Sequence, residues 1–181
     1  MTLRIGINGF GRIGRLALRS LWKHREVQAL EVARINDPGG DAATFAHLLE
    51  FDSVHGHWSP GLGVAAREDA IVIDGRSIPF SANRELGDSD WSQCNVVIEA
   101  SGVMKHTAKL QAYLDQGVGH VVVSAPIKET GVLNVVMGVN DNAYDPKRHR
   151  IVTAASCTTN CLAPVVKVIH ETFGIRHGPM T

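Results

Sequence analysis

The stretch INGFGRIGRLALR, residues 7–19, decides how this sequence folds. It joins an apolar run at residues 3–7 to residues 12–22, where Ile13, Leu16, Ala17 and Leu21 recur at helical spacing. Between the two stand Gly9, Gly11 and Gly14, spaced as G-x-G-x-x-G. The string alone is a weak signal, but a strand before it and a helix after it form the setting a dinucleotide site requires. Gly9 permits a tight turn, Gly11 keeps the backbone open to a pyrophosphate, and Gly14 lets the helix pack closely on the strand. The helix N-terminus adds N–H groups and a partial positive charge for the phosphates. A glycine turn with no ligand is the competing explanation, and the flanking pattern weighs against it.

Working outward, Asn36-Asp37 closes a second apolar run at residues 31–35. Asp37 lies 23 residues beyond Gly14 (37 − 14), near the offset of about 20 residues for a ribose-binding acid. A carboxylate there accepts from ribose hydroxyls and repels a 2′-phosphate, which favours NAD over NADP. Asp37 also reads as a turn residue before Pro38-Gly39-Gly40, a turn flexible enough to swing the carboxylate aside. Ser101-Gly102 follows a run at residues 95–99, and Ser124-Ala125-Pro126 closes one at 121–124. Small residues at such strand ends leave room for a ligand, although turn chemistry explains them equally.

Short apolar runs alternate with helix-like segments along the chain, which reads as an α/β fold with a mostly parallel sheet. Further strands are expected at 135–139 and 151–154. Helices are expected at 42–49 with Asp41 as N-cap, at about 105–116 closed by Gly117, and at about 159–173 stopped by Gly174. Asp74-Gly75, between runs at 70–73 and 76–80, predicts an antiparallel hairpin. Residues 51–59 read as a polar loop. The tail from Ile175 to Thr181 reads as a cut rather than a domain edge.

The 181 residues carry 18 basic and 18 acidic side chains, so neither nucleic acid nor an anionic membrane surface is expected as a partner. No segment is apolar for long enough to span a bilayer, and the N-terminus is too short before its first glycine turn for a secretion signal. Cys94, Cys157 and Cys161 do not make a disulfide framework, and a reducing, cytoplasmic setting is expected.

Ser156-Cys157-Thr158-Thr159-Asn160-Cys161 is the most informative segment after the glycines. Cys157 falls between a strand end and a helix start, where N–H groups and the helix dipole favour the thiolate. Ser156 and Thr158 set hydroxyls beside it, suited to an anionic second substrate. Cys161, one helical turn on, is expected to be a buried neighbour rather than a bridge partner. On spacing alone, a small buried cysteine at a helix start also accounts for Cys157. No metal site is expected, since His170 and His177 are poorly placed to complete one with the two cysteines.

Together these segments resemble the phosphorylating glyceraldehyde-3-phosphate dehydrogenase family. The matching strings are INGFGRIGRLALR, IND at 35–37, HLLEFDSVHG at 47–56, SAP at 124–126, VMGVN at 136–140 and ASCTTNCLAPVVKVIHETFGI at 155–175. The last of these is the specific one. The resemblance implies a Rossmann-type doubly wound NAD-binding domain over residues 1–155. It further implies a catalytic-cysteine helix and the start of a largely absent catalytic domain over 156–181. Cys157 would be the nucleophile, with Ser156 and Thr158 around the attacking phosphate. Asn8, Gly9, Phe10, Gly11, Arg12, Ile13, Gly14, Asn36, Asp37, Arg84, Ser101, Gly102 and Ser124 would line the cofactor. Asn83-Arg84-Glu85 stands where the family has Glu-Arg-Asp, and Ser101 where it has threonine or similar. The family's catalytic histidine and most substrate-phosphate ligands would fall beyond Thr181, in a half that would cover apolar surface. The implied activity is that of a cytoplasmic, glycolytic homotetramer converting glyceraldehyde 3-phosphate and inorganic phosphate to 1,3-bisphosphoglycerate through a cysteine thioester. Arsenate has the shape and charge to replace phosphate. A dinucleotide-binding fragment without turnover, and a relative acting on erythrose 4-phosphate, share every motif.

Overall fold

A computed structural model describes residues 2–24, 29–61 and 63–179; Met180 and Thr181, the end of the tail read as a cut, lie outside them. The chain runs β1 (Leu3–Asn8), α1 (Arg12–His24), β2 (Leu30–Asn36), α2 (Ala42–Glu50), β3 (Phe51–Asp52), β4 (Gly56–His57), β5 (Val64–Arg67), β6 (Ala70–Ile73) and β7 (Arg76–Ser81). It continues with β8 (Val96–Glu99), α3 (Thr107–Asp115), β9 (His120–Val123), β10 (Leu133–Asn134), β11 (Ile151–Thr153) and α4 (Cys157–Phe173).

Nine strands form one sheet in the order β10-β11-β9-β8-β1-β2-β7-β6-β5. Every pairing from β10 to β7 is parallel, and β7-β6-β5 are antiparallel. The chain therefore winds from β1 to β2 on one side and to β8 on the other, the doubly wound α/β arrangement expected. β1 is buried on both faces from Ile5 to Asn8, as a central parallel strand must be. Gly6 explains how it fits: a Cβ there would lie 2.8 Å from the Trp91 ring and 2.9 Å from the Cys94 sulfur.

Two apolar clusters hold the layers. Leu18 and Trp22 of α1, with Phe45 and Leu49 of α2, pack on Ile7 and Ile35. Leu110 and Tyr113 of α3, with Trp91, pack on Val97, Val121 and Val123. Asp41 caps α2, its carboxylate accepting from Thr44 N at 2.8 Å. The expected hairpin is β6–β7, and Asp74 and Gly75 both take positive φ, at 54° and 77°.

Several expectations fail for local reasons. Residues 51–59 are not a plain loop: β3 pairs with β4, the Phe51 and His57 rings stack at 5.0 Å, and Asp52 takes the N–H groups of Val54 and His55. The strand expected at 135–139 is a turn after Val135, which still donates to Thr153 O. Asn140 Oδ1 captures the Val136 amide, Asp141 Oδ1 captures that of Gly138, and Gly138 adopts φ 78°. The strand in that region is β10, two residues earlier. α4 begins at Cys157 rather than Thr159 because Ser156 takes the N-cap position.

At the β6–β7 turn, Gly75→Ala forces an L side chain into the left-handed region. It should lower stability by roughly 1 kcal/mol, read as a shift in the denaturant midpoint with an unchanged slope.

Candidate functional site

β1 lies between β2 and β8, so the direction of winding switches at β1 and a crevice opens at its carboxyl end. The turn after β1 fills the floor of that crevice. Gly9 has φ 88°, and its N–H donates to Asn36 O at 2.8 Å. A Cβ on Gly9 would stand 2.3 Å from Ser101 N, and one on Gly14 would stand 2.1 Å from Gly9 O. A Cβ on Gly11 would meet nothing within 4 Å. Packing against protein thus demands Gly9 and Gly14, whereas Gly11 fronts open space at the first turn of α1. That open cradle, with the first-turn N–H groups of a helix beside it, fits a pyrophosphate.

The other candidate cofactor residues divide into those that face this crevice and those that support it. Arg12 and Ile13 are exposed, with Ile13 at 57%. Arg12 Nη2 lies 3.3 Å from Asp52 Oδ1. The N–H groups of His55 and Val54, and then Arg12, hold the Asp52 carboxyl below the usual carboxylate range. Phe10 does not face the crevice: its ring is fully buried against Phe45, and its N–H and carbonyl are taken by Asp37 and Arg15. Asp37 is not free to swing. Oδ2 accepts from Phe10 N at 2.6 Å and Oδ1 from Gly39 N at 2.8 Å, which braces the turn after β2 against the glycine turn. Arg84 is exposed on the loop after β7, where Asn83 is held by Asn36 through N–H to Oδ1 and Nδ2–H to O. Gly102 is exposed with φ 77°; Ser101 and Ser124 are half-buried at the ends of β8 and β9.

Asn8 and Asn36 are buried and turn inward rather than toward the crevice. Asn36 Nδ2 donates to Asn8 Oδ1 at 2.8 Å. Asn8 Nδ2 donates to Glu99 Oε2 at 2.8 Å and to Tyr113 Oη at 2.7 Å. Ser81 Oγ donates to Asn36 Oδ1 at 2.8 Å. A belt of polar side chains therefore crosses the carboxyl ends of β8, β1, β2 and β7 beneath the crevice floor. Sequence reasoning missed Glu99 and Tyr113. Their signal was an acid ending the apolar run Val96-Val97-Ile98-Glu99, and a tyrosine three residues after Leu110 on the buried face of α3.

The cysteine segment sits at the same end of the sheet, since β11 runs parallel to the strands on its side. After β11 the chain bends at Ala155, which is 4% exposed and holds φ 55° although it is not glycine. A non-glycine residue in that region stores strain of order 1–3 kcal/mol. Three contacts sustain the bend. Ala155 N–H donates to Thr153 Oγ1 at 3.0 Å, and Asn160 Nδ2 donates to Ala154 O at 2.7 Å and to Ser156 O at 3.0 Å. Asn160, too, escaped the sequence reading. Ser156 Oγ accepts from Thr159 N at 3.1 Å and caps α4, so Cys157 is the first residue of that helix and is exposed. Thr158 is exposed beside it. Ser156 and Thr159 line a cleft with Pro126, Ile127, Lys128 and Asn134. Cys161 is exposed, not buried as expected, because α4 buries none of its residues against the sheet.

Among the described residues, no group of three or more His, Cys, Asp or Glu side chains could hold a metal ion, and no helix is long and apolar enough to cross a membrane.

Comparison with known proteins agrees with this geometry. Residues 3–107 match the model for the glyceraldehyde 3-phosphate dehydrogenase NAD binding domain, and residues 156–181 match that for the same enzyme's C-terminal domain. The whole chain aligns at 52% identity with glyceraldehyde-3-phosphate dehydrogenase 3 of Nostoc sp., covering 52% of that protein. It aligns at 46% with the Pseudomonas aeruginosa enzyme and 42% with that of Geobacillus stearothermophilus, in each case over 100% of this chain and 53% and 52% of the relative. The chain thus spans about half the length of the curated relatives it matches.

The glycines give a paired test. Gly14→Ala should cost at least about 2 kcal/mol, because its methyl meets backbone. Gly11→Ala should change stability by less than about 0.5 kcal/mol and lose NAD affinity instead. Thermal melts and calorimetric NAD titrations separate the two.

Proposed function

Because the chain belongs to the glyceraldehyde-3-phosphate dehydrogenase family, we propose that it supplies the NAD-binding and thiol-bearing part of an enzyme that oxidises glyceraldehyde 3-phosphate. Residues 1–155 form the dinucleotide-binding unit in this reading, and residues 156–181 open the catalytic unit. The observation that carries it is the exposure of Cys157 at the first residue of α4, at the sheet end where Gly11 fronts open space.

NAD, when bound, supplies the hydride acceptor. Gly11 and the first turn of α1 receive its pyrophosphate, and Asp37 accepts from adenosine ribose hydroxyls while Phe10 and Gly39 hold it in place. An acceptor-only carboxylate at that position disfavours a 2′-phosphate. Arg12, Ile13, Arg84, Ser101, Gly102 and Ser124 border the same crevice, and Asn8 and Asn36 support it from beneath.

The Cys157 thiolate attacks the aldehyde carbon, forming a C–S bond and a hemithioacetal. Loss of hydride from that carbon, with the hydroxyl proton going to a base, leaves a thioester on sulfur. Inorganic phosphate then attacks the acyl carbon; the C–S bond breaks, the thiolate returns, and 1,3-bisphosphoglycerate leaves. The cleft lined by Ser156 and Lys128 offers a hydroxyl and a cation for the phosphate, with the exposed Thr158 two residues after Ser156 as a further hydroxyl, and arsenate would be accepted on the same terms. The base belongs to the remainder of the full-length enzyme, a cytoplasmic, glycolytic homotetramer.

One observation favours a second reading for the 181-residue chain by itself. α4 exposes Val165, Val168, Ile169 and Phe173, the last at 83%, so its apolar face lacks a cover. On this reading the chain alone binds NAD without turnover.

In the full-length protein, Cys157→Ser should lower turnover by about a thousandfold or more and hold NAD affinity within about twofold. Cys161→Ser should retain turnover. Steady-state rates with glyceraldehyde 3-phosphate and phosphate decide it, and substantial activity in the Cys157 variant removes the assignment.

A further inference from the structure

Glu99 ends β8 with 1% of its surface exposed. Burying a carboxylate costs several kcal/mol unless its oxygens are fully satisfied. Four donors converge on this one. Oε2 accepts from Asn8 Nδ2 at 2.8 Å and Tyr113 Oη at 2.6 Å; Oε1 accepts from Ser101 N at 2.8 Å and Ser101 Oγ at 2.5 Å. A neutral amide of the same size would be cheaper to bury, but it could not accept from all four donors. The two carboxyl oxygens therefore serve the arrangement of their donors rather than the packing of the core.

Two of those donors belong to Ser101, and their consequences differ. The Ser101 N–H is the atom nearest the missing Cβ of Gly9, so the bond to Oε1 sets how the turn after β8 stands against the glycine turn. The Ser101 hydroxyl proton points down at Glu99. Its oxygen meets Val103 N at only 3.3 Å, which leaves a lone pair for the crevice. A ligand group that meets Ser101 must then be a donor, such as a hydroxyl or amino group of an adenosine. Tyr113 completes the node: burial, and then the neighbouring Glu99, push its phenol pKa upward and keep it a proton donor.

We propose that Glu99 is a positioning residue for the dinucleotide, acting through Ser101 by pinning the turn after β8 to Gly9 and fixing the Ser101 hydroxyl as an acceptor. The proposal rests on the NAD-binding reading above. Tyr113 and Asn8 brace Glu99 from the opposite oxygen and do not themselves set affinity.

The test is a double-substitution cycle on the NAD dissociation constant, with thermal melts and amide exchange at residue 101 recorded without ligand. Glu99→Gln should raise the dissociation constant about tenfold and speed exchange of the Ser101 amide at temperatures where the fold is intact. In a Ser101→Ala background the same change should cost less than in the wild type, because the hydroxyl bond to Oε1 is already gone while the bond from the residue 101 N–H remains. Tyr113→Phe should lower the melting temperature while holding affinity within about twofold. Losses that multiply independently in the cycle, or affinity that falls in step with melting temperature across all variants, overturn the proposal. If Glu99→Gln does not fold, Glu99→Asp takes its place in the cycle: its shorter reach should weaken NAD binding and again couple to Ser101→Ala, and independent losses overturn the proposal. Wild-type protein that takes up no NAD sinks the dinucleotide reading and this proposal together, whereas tight wild-type binding with independent losses overturns this proposal alone.

Discussion

The carboxyl end of the sheet depends on how closely the turn after β1 approaches the turn after β8. Backbone meets backbone there, with no room for a single carbon on Gly9. Such an approach is possible only if the peptide groups on either side are hydrogen-bonded and fixed, because an unpaired buried N–H would push the turns apart. Gly9 is held from the β2 side by Asn36 O, and Ser101 from below by Glu99. Beneath these turns Glu99, Asn8, Asn36 and Ser81 link the ends of four adjacent strands, and Tyr113 ties the belt to α3. The crevice is thus rigid because of what lies under it, and its floor can be made of glycine without being loose.

What could be read from the sequence was whatever is encoded within a few residues. The Asp74-Gly75 turn, the Asp41 cap and the glycine spacing each carry their own geometry, and all three stand where expected. One expected strand is replaced and one helix start shifts because short-range competition is hard to weigh. The apolar run at 135–139 has strand composition, yet Asn140 and Asp141 reach back and take its amides. Cys157 was correctly read as a helix start, but the helix begins on it rather than two residues later, because Ser156 caps Thr159. The supporting residues were illegible for a different reason. Glu99 and Tyr113 meet only after α3 has packed on the sheet, and Asn8 and Asn36 meet only across paired strands. No window of sequence contains those encounters. Phe10 was the converse case: it stands inside the motif, so it was assigned to the ligand, although its ring serves the core.

α4 is unlike the other helices in its energetics. Its apolar residues face outward, and Pro164 removes one backbone donor from its interior. Contacts that tie it down include Lys167 Nζ to Gly138 O at 2.7 Å and the Asn160 bonds at its first turn. Within these 181 residues it is tied down at its first turn and at Lys167 rather than by burial. The thiol nevertheless stays where it is, since the restraints on Cys157 belong to the bend before the helix.

That bend inherits its position from β11, a strand of three residues. Arg150 grips the carbonyls of Val118 and Gly119 just before it, and Thr153 bonds Asn134 just as it ends. Between these two clamps the ladder has three rungs, Ile151 to Val121, Val152 to Val122 and Thr153 to Val123. A slip of one rung would carry the sulfur about 3.3 Å along the strand and reverse which side of the sheet each side chain addresses. The position of the Cys157 sulfur is thus calibrated by an arginine and a threonine at either end of a very short ruler, neither of which touches the cysteine itself.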